Sequence, residues 1–300
     1  MKNIIIGLLF AALWASASAA TKIGLQSGEP FIIAECRFFI AAAIMLFWAH
    51  AVRRHRLPTR DEWRPLAIYG LLNVAIYLGL YVLAMQEISA GIGSLSVATS
   101  PLMISILSAL WLGRRIQRLE IAALLFGFVG IGLATYPLLL SSYASLKGIF
   151  LVLAGMVAYS MGTVFYARER WDLPSITINA WQILFGGVFL LPLAVGFSDL
   201  SKTHLDLRFW GSIAWLVVPV SIGAVQLWLY LLKIDAVKAS LWLFLCPIAG
   251  FVIAHFLLDE PITMYTYVGT AAVIVGLYLG QKSKTQIVLK EDKSLQVIEN

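Results

Sequence analysis

Ten apolar blocks, each long enough to cross a bilayer, take up almost the whole of this 300-residue chain. They run over 3–24, 30–51, 65–85, 88–112, 119–140, 146–167, 176–197, 209–232, 238–258 and 264–281. Each holds about 18–25 residues, and roughly 20 residues of α-helix cover the ~30 Å hydrocarbon layer. The fold class this dictates is an all-α polytopic membrane protein of ten transmembrane helices. Ten packed spans with almost no extramembrane domain leave few tasks except moving something across.

The charges support the same reading. The chain is 60% hydrophobic and 13% charged, with a mean hydropathy of +0.86, too little polar surface for a soluble domain of this length. A net charge of +6 and a pI near 9.3 would suit a nucleic-acid partner, but placement argues against one. Of the 22 Lys and Arg, 17 fall at the N-terminus, on the alternate connections that follow it, or in the tail. The other connections carry Lys147, Lys202 and Arg208, and Lys22 and Arg37 lie inside blocks. Cytoplasmic loops retain Lys and Arg, so both termini are expected in the cytoplasm, and no nucleic-acid partner is expected.

Residues 1–20 resemble a secretory signal, with Lys2, an apolar run, then Ala15-Ser16-Ala17-Ser18-Ala19. The apolar run continues to Leu25, and cleavage would leave nine spans, so an uncleaved first span is expected. Cys36 and Cys246 sit inside spans and read as small buried residues. No metal-ligand spacing, no cofactor motif, no Walker-type sequence and no catalytic cluster is present, so neither an enzyme nor an ATP-driven pump is expected.

Shifting the sequence by 146 residues brings Pro101 onto Pro247, Leu112 onto Leu258, Val129 onto Val275 and Gly130 onto Gly276. We read residues 1–145 as a first five-helix repeat, 146–281 as a second, and 282–300 as a flexible cytoplasmic tail. Because five is odd, the halves run in opposite senses, as inverted repeats about an axis in the membrane plane. Paired Gly/Pro interruptions in such halves point to a central site. Pro101 and Pro247, near the middle of the fourth and ninth spans, are therefore the expected helix breaks or hinges, each kinking its helix.

Intramembrane charges and polar aromatics supply the site candidates. Arg37 lies about 10 Å along the second span from Pro30, at ~1.5 Å per residue. It reads either as a carboxylate ligand or gate, or as half of an ion pair tying the first two spans. Glu35 and Lys22 are the candidates for that charge pair or gate. Trp14 and Tyr159 lie near the midpoints of the first span of each half, and Asn73, Tyr77 and Tyr81 share one helical face. With Gln182, Gln226 and Trp242 they are expected to line a cavity suited to a small amphipathic solute.

In order and spacing the chain resembles the drug/metabolite transporter superfamily, and within it the ten-span EamA-type transporters, over about residues 3–281. The carriers are Ala12-Leu13-Trp14-Ala15-Ser16 with Lys22, then Pro30 and Arg37-Phe38. Ser89-Ala90-Gly91 leading to Ser100-Pro101, Ala239-Ser240 leading to Cys246-Pro247, and Leu258-Asp259-Glu260-Pro261 complete the set. The resemblance implies a bacterial-type inner-membrane carrier that exports amino acids, related metabolites or drugs by alternating access. One departure is Gly113-Arg114-Arg115, where the family often has an acidic residue that the second half keeps as Glu260. The alternative, an importer or exchanger of a phosphorylated or nucleotide-linked metabolite, needs two or more central cations, and only Arg37 and Lys22 are available. Partners are then a small-molecule substrate and membrane lipid. Proton coupling or facilitated exchange, and monomer or homodimer, stand open at this point.

Overall fold

The computed structural model describes residues 2–112, 118–140, 144–234, 242–276 and 278–279. Gly113-Arg114-Arg115, Ala239-Ser240 and the tail 282–300 lie outside the described residues. The described chain is helical and contains no named strand: α1 (Lys2–Gly24), α2 (Pro30–Val52), α3 (Arg60–Glu87), α4 (Ala90–Val97), α5 (Ser100–Leu112), α6 (Arg118–Leu140), α7 (Leu146–Arg168), α8 (Ser175–Phe197), α9 (207–234), α10 (Leu245–Leu258) and α11 (Met264–Gly276). Six of these helices, α1, α2, α3, α7, α8 and α9, contain a stretch long and apolar enough to cross a membrane, and shorter apolar helices stand at Leu125–Ala134, Leu245–Leu258 and Met264–Gly276. The outer faces are apolar as well: Leu207 is 88% exposed and Phe256 78%. Such a surface is soluble only in lipid, and the protein is a multi-pass membrane protein.

The fourth apolar block is two helices rather than one. The chain turns at 98–99, where the N–H groups of Ala98 and Thr99 donate to the carbonyls of Leu95 and Ser96 at 3.0 Å each. Pro101 is the second residue of α5. Its missing N–H would have served the Val97 carbonyl, which instead accepts from the Ser100 hydroxyl at 2.6 Å. Pro247 is the third residue of α10, directly after the tight turn Trp242–Phe244. Neither proline kinks the middle of a continuous helix, as the mid-block positions suggested. Each stands in a first helical turn, where a fixed φ and an absent N–H cost nothing.

Two long helices widen partway along. In α3 the segment Leu71–Ile76, and in α9 the segment Leu216–Ala224, adopt π-type turns. Helix pairing is close: α2 packs on α8, α3 on α7 and α8, α1 on α9 and α10, α4 on α10, and α5 on α7. Glycine makes two of the approaches. A Cβ on Gly130 of α6 would lie 2.6 Å from the Gly269 carbonyl of α11, and one on Gly70 of α3 would lie 2.6 Å from the Gln182 carbonyl of α8. Small residues at contacts let membrane helices approach at backbone distance.

The connections around 24–30, 87–90, 144–147, 197–207 and 258–264 are stitched together. The Ser27 hydroxyl donates to Asp206 at 2.8 Å and the His204 N–H donates to the Ser27 carbonyl at 2.7 Å. Glu87 accepts from Ser145 and pairs with Lys147, both at 2.8 Å. Asp259, at φ 51°, turns the chain after α10 through the left-handed region that Asp tolerates. The next residue, Glu260, then accepts the N–H groups of Ala90 and Gly91 at 2.6 and 3.0 Å, while Ser89 accepts that of Ile92 at 3.2 Å. The first three donors of α4, which no helix can satisfy internally, are all taken.

Candidate functional site

A central cavity lies where α1, α2, α3, α7, α8 and α9 meet, as two adjoining chambers of about 70 and 80 Å³. Both are lined by Trp14, Asn73, Tyr159, Asn179, Gln182 and Val225. The first adds Arg37, Tyr77, Tyr81 and Ser221. The second adds Tyr69, Thr163, Tyr166 and Trp228, and runs toward the end where Tyr69 and Tyr166 pack on Trp171 of the Arg-bearing connection 168–175. Asn73 and Ser221 both stand in the widened turns of α3 and α9. A π turn displaces carbonyls and side chains from the regular helical pattern and is frequent at functional sites.

The polar groups form one chain of hydrogen bonds across four helices. Arg37 Nε donates to Ser221 Oγ at 2.9 Å. Asn179 Nδ2 donates to the Ser221 carbonyl at 3.1 Å and contacts Met45 Sδ at 3.2 Å. Gln182 Nε2 donates to Asn179 Oδ1 at 2.8 Å, and Asn73 Nδ2 to Gln182 Oε1 at 3.0 Å. Asn73 Oδ1 is buried and has no partner. The aromatic wall is Trp14, Tyr77, Tyr81 and Tyr159, with the Tyr77 and Tyr159 rings 5.0 Å apart. The Tyr81 hydroxyl is held by Ser18 at 2.6 Å, and Ser18 meets Ser94 of α4 at 3.0 Å. Tyr81 therefore presents its ring to the cavity while its oxygen ties α3 to α1 and α4.

Seven candidates from the sequence line this cavity: Trp14, Arg37, Asn73, Tyr77, Tyr81, Tyr159 and Gln182. Two others lie elsewhere. Gln226 lines a separate groove with Trp48, Arg53 and Val218, because the widened turn before it shifts the phase of α9 and leaves its neighbour Val225 facing inward. Trp242 covers Gly7 of α1 and packs beside Phe10 and Cys246. Lys22 and Glu35 form no ion pair with each other. Lys22 lines a polar pocket with Glu87, Ser89 and Glu260. Glu35 is 7% exposed, faces Gly187 of α8, and has no hydrogen-bond partner at either oxygen. The alternative reading of Arg37, half of an ion pair tying the first two spans, is likewise not met among the described residues; its Nε donates to Ser221. Sequence reasoning missed Asn179 and Ser221. Asn179 stands one helical turn before Gln182, a spacing that puts both amides on one face; Ser221 follows Pro219, a residue given no role.

A family model described as the EamA-like transporter family matches residues 1–136 and again 146–280. The chain belongs to the EamA-like transporter family. That family lies in the drug/metabolite transporter superfamily, and its description is of transporters rather than enzymes. An uncharacterized transporter of Archaeoglobus fulgidus is 29% identical over 93% of this chain and 98% of its own length. The uncharacterized transporter YvbV of Bacillus subtilis is 25% identical over 91% and 90%. The uncharacterized inner membrane transporter YedA of Escherichia coli is 25% identical over 92% and 90%. A solved crystal structure superposes with a TM-score of 0.65 over 95% of this chain and 98% of its own, at 18% identity, a likeness of fold alone.

Proposed function

We propose that the protein is a secondary transporter of the bacterial inner membrane that exports amino acids or related small metabolites and drugs by alternating access around the central cavity. In this reading the fold is ten spans in two inverted repeats, 1–145 and 146–281, with both termini and the tail 282–300 cytoplasmic. The observation that carries it is the cavity itself: polar and aromatic side chains from helices of both halves converge there, inside an apolar sheath.

Three further features support the reading. The family model matches once in each half. The contacts of α3 with α7 and of α1 with α9 exchange under a swap of the halves, as do those of α3 with α8 and of α2 with α9. The widened turns, at 71–76 and 216–224, coincide under the same 146-residue shift that aligns the prolines. A water molecule's share of liquid volume is about 30 Å³, so each chamber has room for a few waters, and cargo enters only when the helices part. The stitched connections around Ser27–Asp206 and Glu260–Ala90 seal one end, and their release is the outward-opening step.

Transport is tested by counterflow in proteoliposomes preloaded with unlabelled amino acids, small carboxylates or cationic drugs. Protein-dependent accumulation of a labelled solute of the same kind is expected. No movement of any solute across the panel would overturn the reading. Single cysteines at Arg56 and Thr203, in a background lacking Cys36 and Cys246, test orientation: labelling from the cytoplasmic and external sides respectively is expected.

A further inference from the structure

The hydrogen-bond chain has a direction, and a backbone atom sets it. The Ser221 carbonyl can only accept, so Asn179 must turn its NH₂ toward it, at 3.1 Å. Asn179 Oδ1 is then the acceptor for Gln182 Nε2, and Gln182 Oε1 the acceptor for Asn73 Nδ2. An amide side chain can exchange the places of its O and N, but here a flip anywhere would set two donors or two acceptors against each other. The last amide, Asn73, a residue of the cavity wall, is therefore left with a buried oxygen, Oδ1, that has no partner. At the other end, Arg37 spends Nε on Ser221, and no described residue hydrogen-bonds to either terminal nitrogen of its guanidinium. No Asp or Glu lines either chamber, and no described carboxylate is ion-paired with Arg37.

We propose, building on the transporter reading above, that this polarised chain is a charge and orientation filter: Arg37 takes a cargo carboxylate and Asn73 Oδ1 takes an N–H donor of the same molecule. A guanidinium held inside a membrane without a counter-charge favours an anionic group beside it, and its planar fork matches a carboxylate. A buried acceptor with no donor costs free energy that a cargo N–H removes. The ring faces of Trp14, Tyr77 and Tyr159 receive the apolar body. Lipophilic cations lacking a carboxylate meet Arg37 with like charge and are rejected. Arg37 and Asn73 are in this account specificity-determining residues, with Asn179 and Gln182 as positioning residues.

The test uses the full chain in nanodiscs and three probes sharing a phenyl body: phenylalanine, 3-phenylpropionate and 2-phenylethylamine. Binding is read from the shift of the thermal midpoint with probe concentration. The expected order is phenylalanine, then phenylpropionate, with phenylethylamine unbound. Arg37→Gln weakens both carboxylates by tenfold or more. Asn73→Leu lowers phenylalanine to the level of phenylpropionate and leaves phenylpropionate unchanged. If Arg37→Gln fails to fold, Arg37→Lys, which keeps the charge but loses the fork, shows the same loss in smaller degree. Phenylethylamine binding as tightly as phenylalanine overturns the filter, as does an unchanged ranking in the Arg37 variants or the absence of binding by all three probes. Counterflow of some other solute in that last case leaves the transporter reading standing.

Discussion

Arg37 of α2 and Ser221 of α9, 184 residues apart in sequence, are joined by a 2.9 Å hydrogen bond from Nε to Oγ. The bond fixes the guanidinium from behind, so its two terminal nitrogens point as a pair. Ser221→Ala removes the anchor without touching the charge. A hydrogen bond to a charged group is worth about 1.5–3 kcal/mol, so the affinity for 3-phenylpropionate is expected to fall by roughly tenfold or more. Calorimetric titration of the variant in nanodiscs checks this, and an unchanged affinity would show that the anchor has no influence on binding.

The glycine contacts make a paired prediction. Gly70→Ala places a methyl 2.6 Å from the Gln182 carbonyl and forces α3 away from α8 beside the cavity. Overpacking of this kind costs about 1–3 kcal/mol. Gly196→Ala, on the same α8 but with nothing within 4 Å, is expected to leave the thermal midpoint within about 0.5 kcal/mol of the parent. Equal effects at the two sites would contradict the packing argument.

Glu260 is 7% exposed and accepts two N–H groups of α4. Glu260→Ala leaves both donors buried and unsatisfied, at about 1–3 kcal/mol each. Glu260→Gln keeps one acceptor oxygen and is expected to lose less. Urea midpoints of the two variants in detergent should rank in that order.

Asp206 lies outside the spans. The Phe209 N–H it accepts at 2.9 Å, and then the Ser27 hydroxyl, hold its carboxyl below the usual aspartate range. A carboxyl lowered on folding adds stability that is fully present above the unfolded-state value of about 3.9. That stability is lost as pH falls through the lower folded-state value. Acid unfolding followed by tryptophan fluorescence is therefore expected to be shallower below about pH 4 in Asp206→Asn, while an identical acid limb in parent and variant would remove Asp206 from the account.

Glu35 lies two residues from Arg37, yet its oxygens touch no donor. Burying an unpartnered carboxyl destabilises a fold. Glu35→Met, similar in volume, is expected to raise the thermal midpoint by the equivalent of about 1–3 kcal/mol. A lower midpoint would mean that the carboxyl has a partner in the working protein.

Much of the architecture was legible in the residues, because lipid makes hydropathy and length nearly sufficient to place a helix. The positions of Trp14, Asn73, Tyr77 and Gln182 followed from mid-span polarity and helical spacing. Gln226 and Trp242 were misplaced for a geometric reason: a count of residues assumes a constant turn, and α9 widens before Gln226 while the chain around Trp242 is a tight turn. Ser221 was invisible because its importance comes from its contact with Arg37, and serine in an apolar helix carries no signal of its own. The break before Pro101 was misread as a kink because the proline was visible, whereas the Ser100 hydroxyl that serves the freed carbonyl was only one more small residue.

The widened turns in α3 and α9 carry a last consequence, expressed in chain length. A π turn holds about one residue more than the α-helix it interrupts. Removing a single residue from either segment would restore a regular helix and swing everything beyond it by about 100° around the axis. In α3 that would carry Tyr77 and Tyr81 off the cavity wall, and in α9 it would carry Val225 and Trp228 with it. The shape of the chamber thus depends on two single-residue increments in chain length, which substitutions, because they keep the residue count, do not remove.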